Sequence, residues 1–426
     1  MPHESMRPAL GKTLGVPLFQ EQMMQLAIDC AGFRPDEADR LRQAMSAKRA
    51  PERVEELRQR LLDGMAERGI GHEVAHDIYT KILAFSNYGF PESHAISFAY
   101  LVYASAWLKR YYPAAFTAAL LRNQPMGFYA PHSLINDARR HGVTVLGVDL
   151  NASDALATLE GSADSTGADS TGADSTGADS TGAGLAGSPA IRLGLSAVRN
   201  LGTQAAERIA AGRPYRDLED FATRARLPAA ALEALATAGA FGCFGLSRRA
   251  ALWAAGAAAS LREGQLPGTA TGMTAPPLPA MTPAEETLAD LWATSTYGTH
   301  PVAHIRAALD ARQVLTAEAI RSAPASADDG AVVAVAGLVT HRQRPPTARG
   351  VVFLSLEDET GMVNVICPPP VWERHQPAAT VAPALLVRGR IERTGGAGGV
   401  GGAVNLVAST LRPLRVAAAT ASRDFR

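Results

Sequence analysis

Between Asn87 and Lys109 the chain reads NYGFPESHAISFAYLVYASAWLK, a polar loop running into an almost wholly apolar helix that ends on a basic and aromatic cluster. Ala95, Ile96, Phe98, Ala99, Leu101, Val102, Ala106 and Trp107 fall on every side of a helical period, the pattern of a core helix and not of a surface one. The segment is therefore predicted to be buried, with Ser93 and His94 held out by the loop on a rigid support. A run of roughly 17 residues is marginal for a bilayer, and Ser93, His94, Ser97, Ser105 and the neighbouring tyrosines argue against one.

With 426 residues, roughly two to four domains are expected. The 41 basic and 41 acidic residues cancel, so a nucleic-acid surface has to come from local clustering of charge. Cys30, Cys243 and Cys367 form neither a disulfide framework nor a metal knuckle, which fits a reducing cytoplasm. The opening MPHESMRPALGKTLGVPLFQEQ lacks an apolar signal core, and no long apolar run occurs elsewhere. A soluble cytoplasmic protein without membrane association is expected.

Residues 1–141 read as helices with punctuated ends. Pro35 opens one with Asp36 and Glu37 at the positive end of its dipole, Pro51 opens another closing near Gly64 or Gly71, and Pro113 a third running to about Arg122. From Gly142 the pattern becomes the alternating GVTVLGVDLN, then four copies of Ala-Asp-Ser-Thr-Gly fill Ala163 to Gly182. That repeat contains nothing to build a core and is expected to be a disordered loop. Its spaced Asp164, Asp169, Asp174 and Asp179 suggest calcium far less than they suggest a polar linker.

Ala190 to Leu195 reads as the returning strand of the same small β element. LSAVRNLGTQAAERIAAG follows, where a short helix, the turn Asn200-Leu201-Gly202 and a helix opening at Thr203 make a helix-hairpin-helix. Gly202 permits the tight turn, the amides of the next helix can point at a phosphate, and Arg199 and Arg208 add charge. A weaker second hairpin falls at Leu235 to Arg249, with Gly239, Gly242 and Gly245 ahead of Arg248 and Arg249; an ordinary glycine-turn hairpin is the alternative for both. Residues 255–330 form a Pro/Ala/Gly-rich connector with short helices, one of them Pro283 to Thr294. Five short strands between 331 and 415 suggest an OB-fold barrel, with a tail at 416–426. Arg342, Arg344, Arg349, Phe353, Arg388 and Arg390 could supply phosphate contacts and a stacking ring, though such a barrel can equally serve as a spacer or protein-interaction module.

His72-Glu73-Val74-Ala75-His76 satisfies H-E-x-x-H, which would suit a zinc hydrolase. Against it, Gly71 sets the motif at a helix start, Tyr79 and Ile82 stand where the extended motif needs glycine and histidine, and a third ligand would have to be Glu92 or His94.

The phrases LGVPLFQEQ, YGFPESHAISFAYLVYASAWLK, YPAAFTAALL, LGVDLNASD, THRQRP and FLSLEDETGMVNV resemble the bacterial C-family DNA polymerases, the polymerase III alpha-subunit family, and among them the error-prone paralogues of the mutasome. The resemblance implies an all-α fingers domain (1–141), a helix-hairpin-helix module with a small β element (142–254) and a C-terminal OB-fold barrel. It also implies template-directed nucleotidyl transfer in damage-induced mutagenesis and translesion synthesis, with dNTP substrates, Mg2+, primer-template DNA, and mutasome proteins and the sliding clamp as partners.

In ADRLRQAMSAKR, Arg42 matches the first of the family's two adjacent arginines, Gln43 replaces the second, and Lys48 and Arg49 make the basic cluster. With Ser93 and His94 these residues are implied to bind nucleotide. Lys109, Arg110, Arg199, Leu201, Gly202, Thr203, Arg208, Arg248, Arg249, Arg342, Arg344, Phe353 and Arg388 are the expected DNA contacts. No Asp-x-Asp pair in a strand context occurs, so the palm carboxylates that would hold two magnesium ions are expected outside this sequence. The chain alone is then expected to be inactive. A free-standing DNA-binding accessory protein is the alternative reading.

Overall fold

The computed structural model describes residues 3–45, 50–85, 90–127, 129–161, 189–261, 265, 268–269, 271–322, 330–393, 404–416 and 423–425. The Ala-Asp-Ser-Thr-Gly repeat, Lys48 and Arg49 lie outside them. The chain forms two compact units, residues 1–110 and 111–426.

The first unit is helical: α1 (Arg7–Leu10), α2 (Gln20–Ala31), α3 (Pro35–Met45), α4 (Ala50–Glu56), α5 (Arg58–Glu67), α6 (His72–Phe85) and α7 (Glu92–Tyr111). Pro35 starts α3 with Asp36 and Glu37 in its first turn, and Ala38, Leu41 and Met45 turn one face into a core shared with Met23, Leu26, Leu61, Met65, Ile78 and Ile82. Gly64 does not end its helix. It lets α5 approach α2, because a Cβ there would fall 1.9 Å from the Ala31 carbonyl oxygen.

The prediction for α7 fails. No residue of this helix is buried, and Ile96, Tyr100, Leu101 and Val102 are 57 to 76% exposed. It is fastened at its first turn, where the Glu92 amide donates to Glu21 at 2.9 Å, Lys12 pairs with Glu92 at 2.5 Å, and the Gln20 amide donates to the Phe90 carbonyl at 3.0 Å. An all-round apolar pattern shows that a helix needs a cover; it does not show that the core of its own unit supplies one.

The second unit begins with α8 (Pro113–Arg122) and α9 (Pro131–Arg140). A three-stranded sheet of β1 (Val145–Leu146), β2 (Thr158–Glu160) and β3 (Ala190–Arg192) follows, with β3 central, parallel to β1 and antiparallel to β2. Next come α10 (Thr203–Ala211), α11 (Leu218–Ala225), α12 (Ala229–Thr237) and α13 (Arg248–Ala259) around Phe221, Leu235 and Phe241. Alanines Ala234, Ala251, Ala254 and Ala255, all buried, let α12 and α13 pack closely.

The connector holds α14 (Pro283–Thr294), α15 (Arg306–Asp310), β4 (Val314–Leu315) and α16 (Ala317–Ser322). Its composition conceals a core: Tyr297, Val302, Leu309 and Val314 pack with Ala336, Leu338 and Ala384. The closed barrel is β5 (Val332–Gln343), β6 (Val352–Asp358), β7 (Gly361–Cys367), β8 (Ala384–Arg393) and β9 (Val404–Pro413), in the order β5-β6-β7-β9-β8 with β8 returning to β5. The helix α17 (Pro369–Val381) joins β7 to β8, and β10 (Arg423–Phe425) lies parallel to the end of β5.

One charged group fixes the barrel to the helices. Glu357, on the outer wall of β6, is fully buried. Its Oε1 accepts from Arg140 Nη1 at 3.0 Å and from Asn136 Nδ2 at 3.4 Å, and Asn136 also donates to the Tyr297 hydroxyl at 2.8 Å. Burial raises the Glu357 carboxyl above the usual range, against the lowering effect of Arg140. His300, stacked edge-on to Tyr297, is driven by burial down to about 3 and stays neutral.

Removing one partner of a buried pair strands the other. Arg140→Ala is therefore expected to lose about 3 kcal/mol of unfolding stability, and Glu357→Gln little or none. A carboxyl raised in the folded state binds its proton more tightly there than in the unfolded chain, so its contribution to stability falls as pH rises through the interval between the two values. Urea titrations from pH 4 to 8 are expected to show that fall in the native chain relative to Glu357→Gln.

Candidate nucleic-acid interface

The first hairpin turn is built from backbone. A 3-10 turn at Leu195–Ala197 leads through Asn200 (φ 62°) and Gly202 (φ 70°, ψ 156°) into α10. A side chain at Gly202 would meet nothing within 4 Å; glycine is required there by the dihedral angles, which lie in a region that L-residues scarcely enter. Gly202 brings no side chain to cap α10, so the amides of its first turn are presented toward solvent beside exposed Gly202 and Thr203. Leu201 does something else: it is 5% exposed, and its side chain is a plug in the module's core.

The cations around this turn divide sharply. Arg199 and Arg208 are exposed and meet no carboxylate among the described residues. Arg199 instead lies 5.2 Å from the centre of the Trp292 ring. Arg248 and Arg249, expected to face DNA, are taken up internally: Arg248 pairs with Asp290 at 2.7 Å and Arg249 with Glu285 at 2.8 Å, both on α14. The second hairpin, with Gly239 and Gly245 in the left-handed region, therefore serves to dock α13 on α14.

On the barrel Arg342 is likewise engaged within the fold. It is 8% exposed, and it donates to the carbonyls of Ala379 at 3.1 Å and Ala382 at 2.6 Å, closing the C-terminal end of α17. Arg344, Arg349, Arg388 and Arg390 are exposed. Phe353 stands on the outer wall in a groove of about 360 Å³ lined by Gln343, Ser355, Asn364, Ile366 and Asn405. The register carries this stripe across strands: Gln343 opposes Phe353, Phe353 opposes Ile366, Ser355 opposes Asn364, and Asn364 opposes Asn405. The amides of Gln343, Asn364 and Asn405 were missed from the sequence, although the alternation in GMVNVIC turns Asn364 outward.

In the first unit Arg42 donates to Asp39 at 2.8 Å, as does Gln43 at 2.7 Å. The Arg42 hydrogen bond leads in holding the Asp39 carboxyl below its usual range. Ser93 and His94 sit in the first turn of α7 and not in the preceding loop, and His94 is flanked by the rings of Phe90 and Phe98 at 5.0 and 4.3 Å. Lys109 and Arg110 are exposed at its end. His72, Glu73 and His76 are exposed on α6, the two imidazoles stack on each other, and among the described residues no three His, Cys, Asp or Glu side chains converge.

Since Gly202 is required for its dihedral angles, Gly202→Val is expected to cost about 1–3 kcal/mol through backbone strain alone. It should also weaken duplex binding irrespective of base sequence. Unfolding curves and anisotropy titrations on two unrelated duplexes check both.

Three family models match these regions: the bacterial DNA polymerase III alpha subunit finger domain at residues 1–69, the helix-hairpin-helix motif at 142–251 and the OB-fold nucleic acid binding domain at 333–414. The whole chain is 52% identical to error-prone DNA polymerases of Mycolicibacterium paratuberculosis and Mycobacterium tuberculosis, and 50% identical to that of Nocardia farcinica. It spans 35 to 36% of the length of these curated relatives. Along its entire length the chain is similar to the corresponding segment of these error-prone DNA polymerases, and it carries the finger, helix-hairpin-helix and OB-fold modules that the three models match.

Proposed function

We propose that this chain supplies the DNA- and nucleotide-binding modules of an error-prone DNA polymerase acting in damage-induced mutagenesis and translesion synthesis. The observation that carries the DNA reading is the pair of exposed cations, Arg199 and Arg208, which meet no carboxylate among the described residues, beside a glycine turn whose helix has no side-chain cap. Such a turn binds backbone phosphate without regard to sequence. The barrel groove complements it: Phe353 offers a ring face to an unpaired base, and Gln343, Asn364 and Asn405 offer amide donors and acceptors to base edges. Lys109, Arg110, Thr203, Arg344 and Arg388 complete the DNA contacts, while Leu201, Arg248, Arg249 and Arg342 act in packing and docking.

Arg42, Lys48, Arg49, Ser93 and His94 are the proposed contacts of the incoming dNTP. Arg42 reaches a triphosphate by exchanging Asp39 for it. Magnesium would supply electrostatic stabilisation of nucleotidyl transfer in this reading. With no convergent carboxylates among the described residues, no residue described here is assigned to it. Mutasome proteins and the sliding clamp are the proposed partners, and the cytoplasm the proposed location. No described helix is long and apolar enough to cross a membrane.

Two titrations test the reading. The purified chain, given primed template, dNTPs and Mg2+, is expected to bind the DNA with an affinity that falls steeply with salt and to leave the primer unextended. Salt-independent binding contradicts the phosphate reading, and extension contradicts the placing of the chemistry outside these residues. Phe353→Ala is expected to weaken single-strand binding about tenfold, the loss of one stacked base at about 1–3 kcal/mol, and to leave duplex binding close to unchanged. Equal loss on both substrates would count against the groove as a single-strand site.

A further inference from the structure

The arginines of the helix-hairpin-helix module are mostly spoken for. Arg192 pairs with Glu160, Arg213 with Asp154, Arg224 with Asp220, Arg248 with Asp290 and Arg249 with Glu285. Arg199 is the exception at the turn itself, and what it meets is an aromatic face in place of a carboxylate. The two contacts differ in what they leave open. A carboxylate takes the in-plane N–H fork of a guanidinium, the same edge that a phosphate would use. A ring beneath the guanidinium plane leaves that fork free while restricting the side chain's rotation.

The ring comes from Trp292, about 90 residues along the chain, on α14 and beyond the region matched by the helix-hairpin-helix model. Its placement is tightly determined. The Arg199 amide donates to the Ala293 carbonyl at 2.7 Å, Ala293 is buried in the module core, and Thr282 and Glu285 form a capping box at the start of α14. The acids Glu285 and Asp290 are held by α13, so Trp292 is what α14 presents to Arg199. Trp292 is 44% exposed, which leaves the pair open to a ligand.

We propose that Trp292 is a positioning residue of the DNA interface, holding the Arg199 guanidinium against its ring beside the Gly202 turn, where no carboxylate among the described residues competes with a backbone phosphate for it. The proposal rests on the reading of that turn as a phosphate site and adds to it a residue from α14. Arg199→Ala then loses one phosphate contact: affinity for a labelled duplex falls about tenfold, and the slope of log affinity against log salt shrinks by about 0.9. Trp292→Leu keeps apolar volume on the helix but removes the ring, and gives a smaller loss of the same kind, about threefold. Trp292→Phe restores a ring face and most of the affinity. In the double variant Arg199→Ala with Trp292→Leu, the tryptophan change costs nothing further.

All variants are compared at matched helicity by circular dichroism. Two results overturn the proposal: Trp292→Leu adding its full loss on top of Arg199→Ala, which would make the ring itself the nucleic-acid contact, or Trp292→Leu leaving affinity and salt slope unchanged while Arg199→Ala reduces both. Failure of the underlying reading looks different. In that case Arg199→Ala, Arg208→Ala and Gly202→Val all leave duplex binding intact.

Discussion

Glu357 is fully enclosed where the outer wall of the barrel meets α9, and a carboxylate in that position is tolerable because Arg140 and Asn136 come to it. It is the first of three consecutive acids with different duties. Asp358 accepts from the amides of Thr360 and Gly361, closing the β6–β7 turn, and from the Ala317 amide at the start of α16 at 2.7 Å. Glu359 pairs with Arg306, which also reaches Asp358. These three residues thereby tie the barrel to α9, to α15 and to α16. A buried ion pair is weak evidence for net stability; what these contacts supply is a fixed seating of the barrel against α9, α15 and α16 within the second unit.

The same principle governs the surface. With basic and acidic residues in equal number, the long-range field offers a polyanion little, so what matters is which cations remain after internal pairing. Arg248 and Arg249 are drawn onto α14 and Arg342 onto the end of α17, while Arg199 and Arg208 stay at the glycine turn. Under the proposed function, a DNA backbone would meet a few positioned donors and not a broadly basic face. Such a design binds weakly per contact and depends on the turn's geometry being correct.

Much of the fold was legible in the sequence, because its signals are local. Pro35, Pro113 and Pro283 open α3, α8 and α14, and Gly202 sits at a turn position that needs its dihedral freedom. The barrel strands show as alternation along the chain. What was missed depends on distant partners. No helix was expected between the barrel strands, yet PPPVWERHQPAATV forms α17 with Pro377 inside it: its prolines at the first turn are compatible with a helix and the barrel packs against Trp372. A cation in a sequence does not reveal the carboxylate or carbonyl about 40 residues away that will occupy it, as with Arg342, Arg248 and Arg249. The apolar pattern of α7 likewise reports a need for cover, and the structure leaves that helix exposed.

The central claim is that internal pairing decides where this chain meets DNA. Hydrogen-exchange mass spectrometry of the full chain with and without a primed duplex measures this directly. The account predicts slowed exchange at residues 199–208 and along the β6–β7 groove around Phe353 and Asn364, with residues 247–251 of α13 and the C-terminal end of α17 unchanged. Protection centred on Arg248 and Arg249 or on Arg342, with the Gly202 turn unaffected, would contradict it.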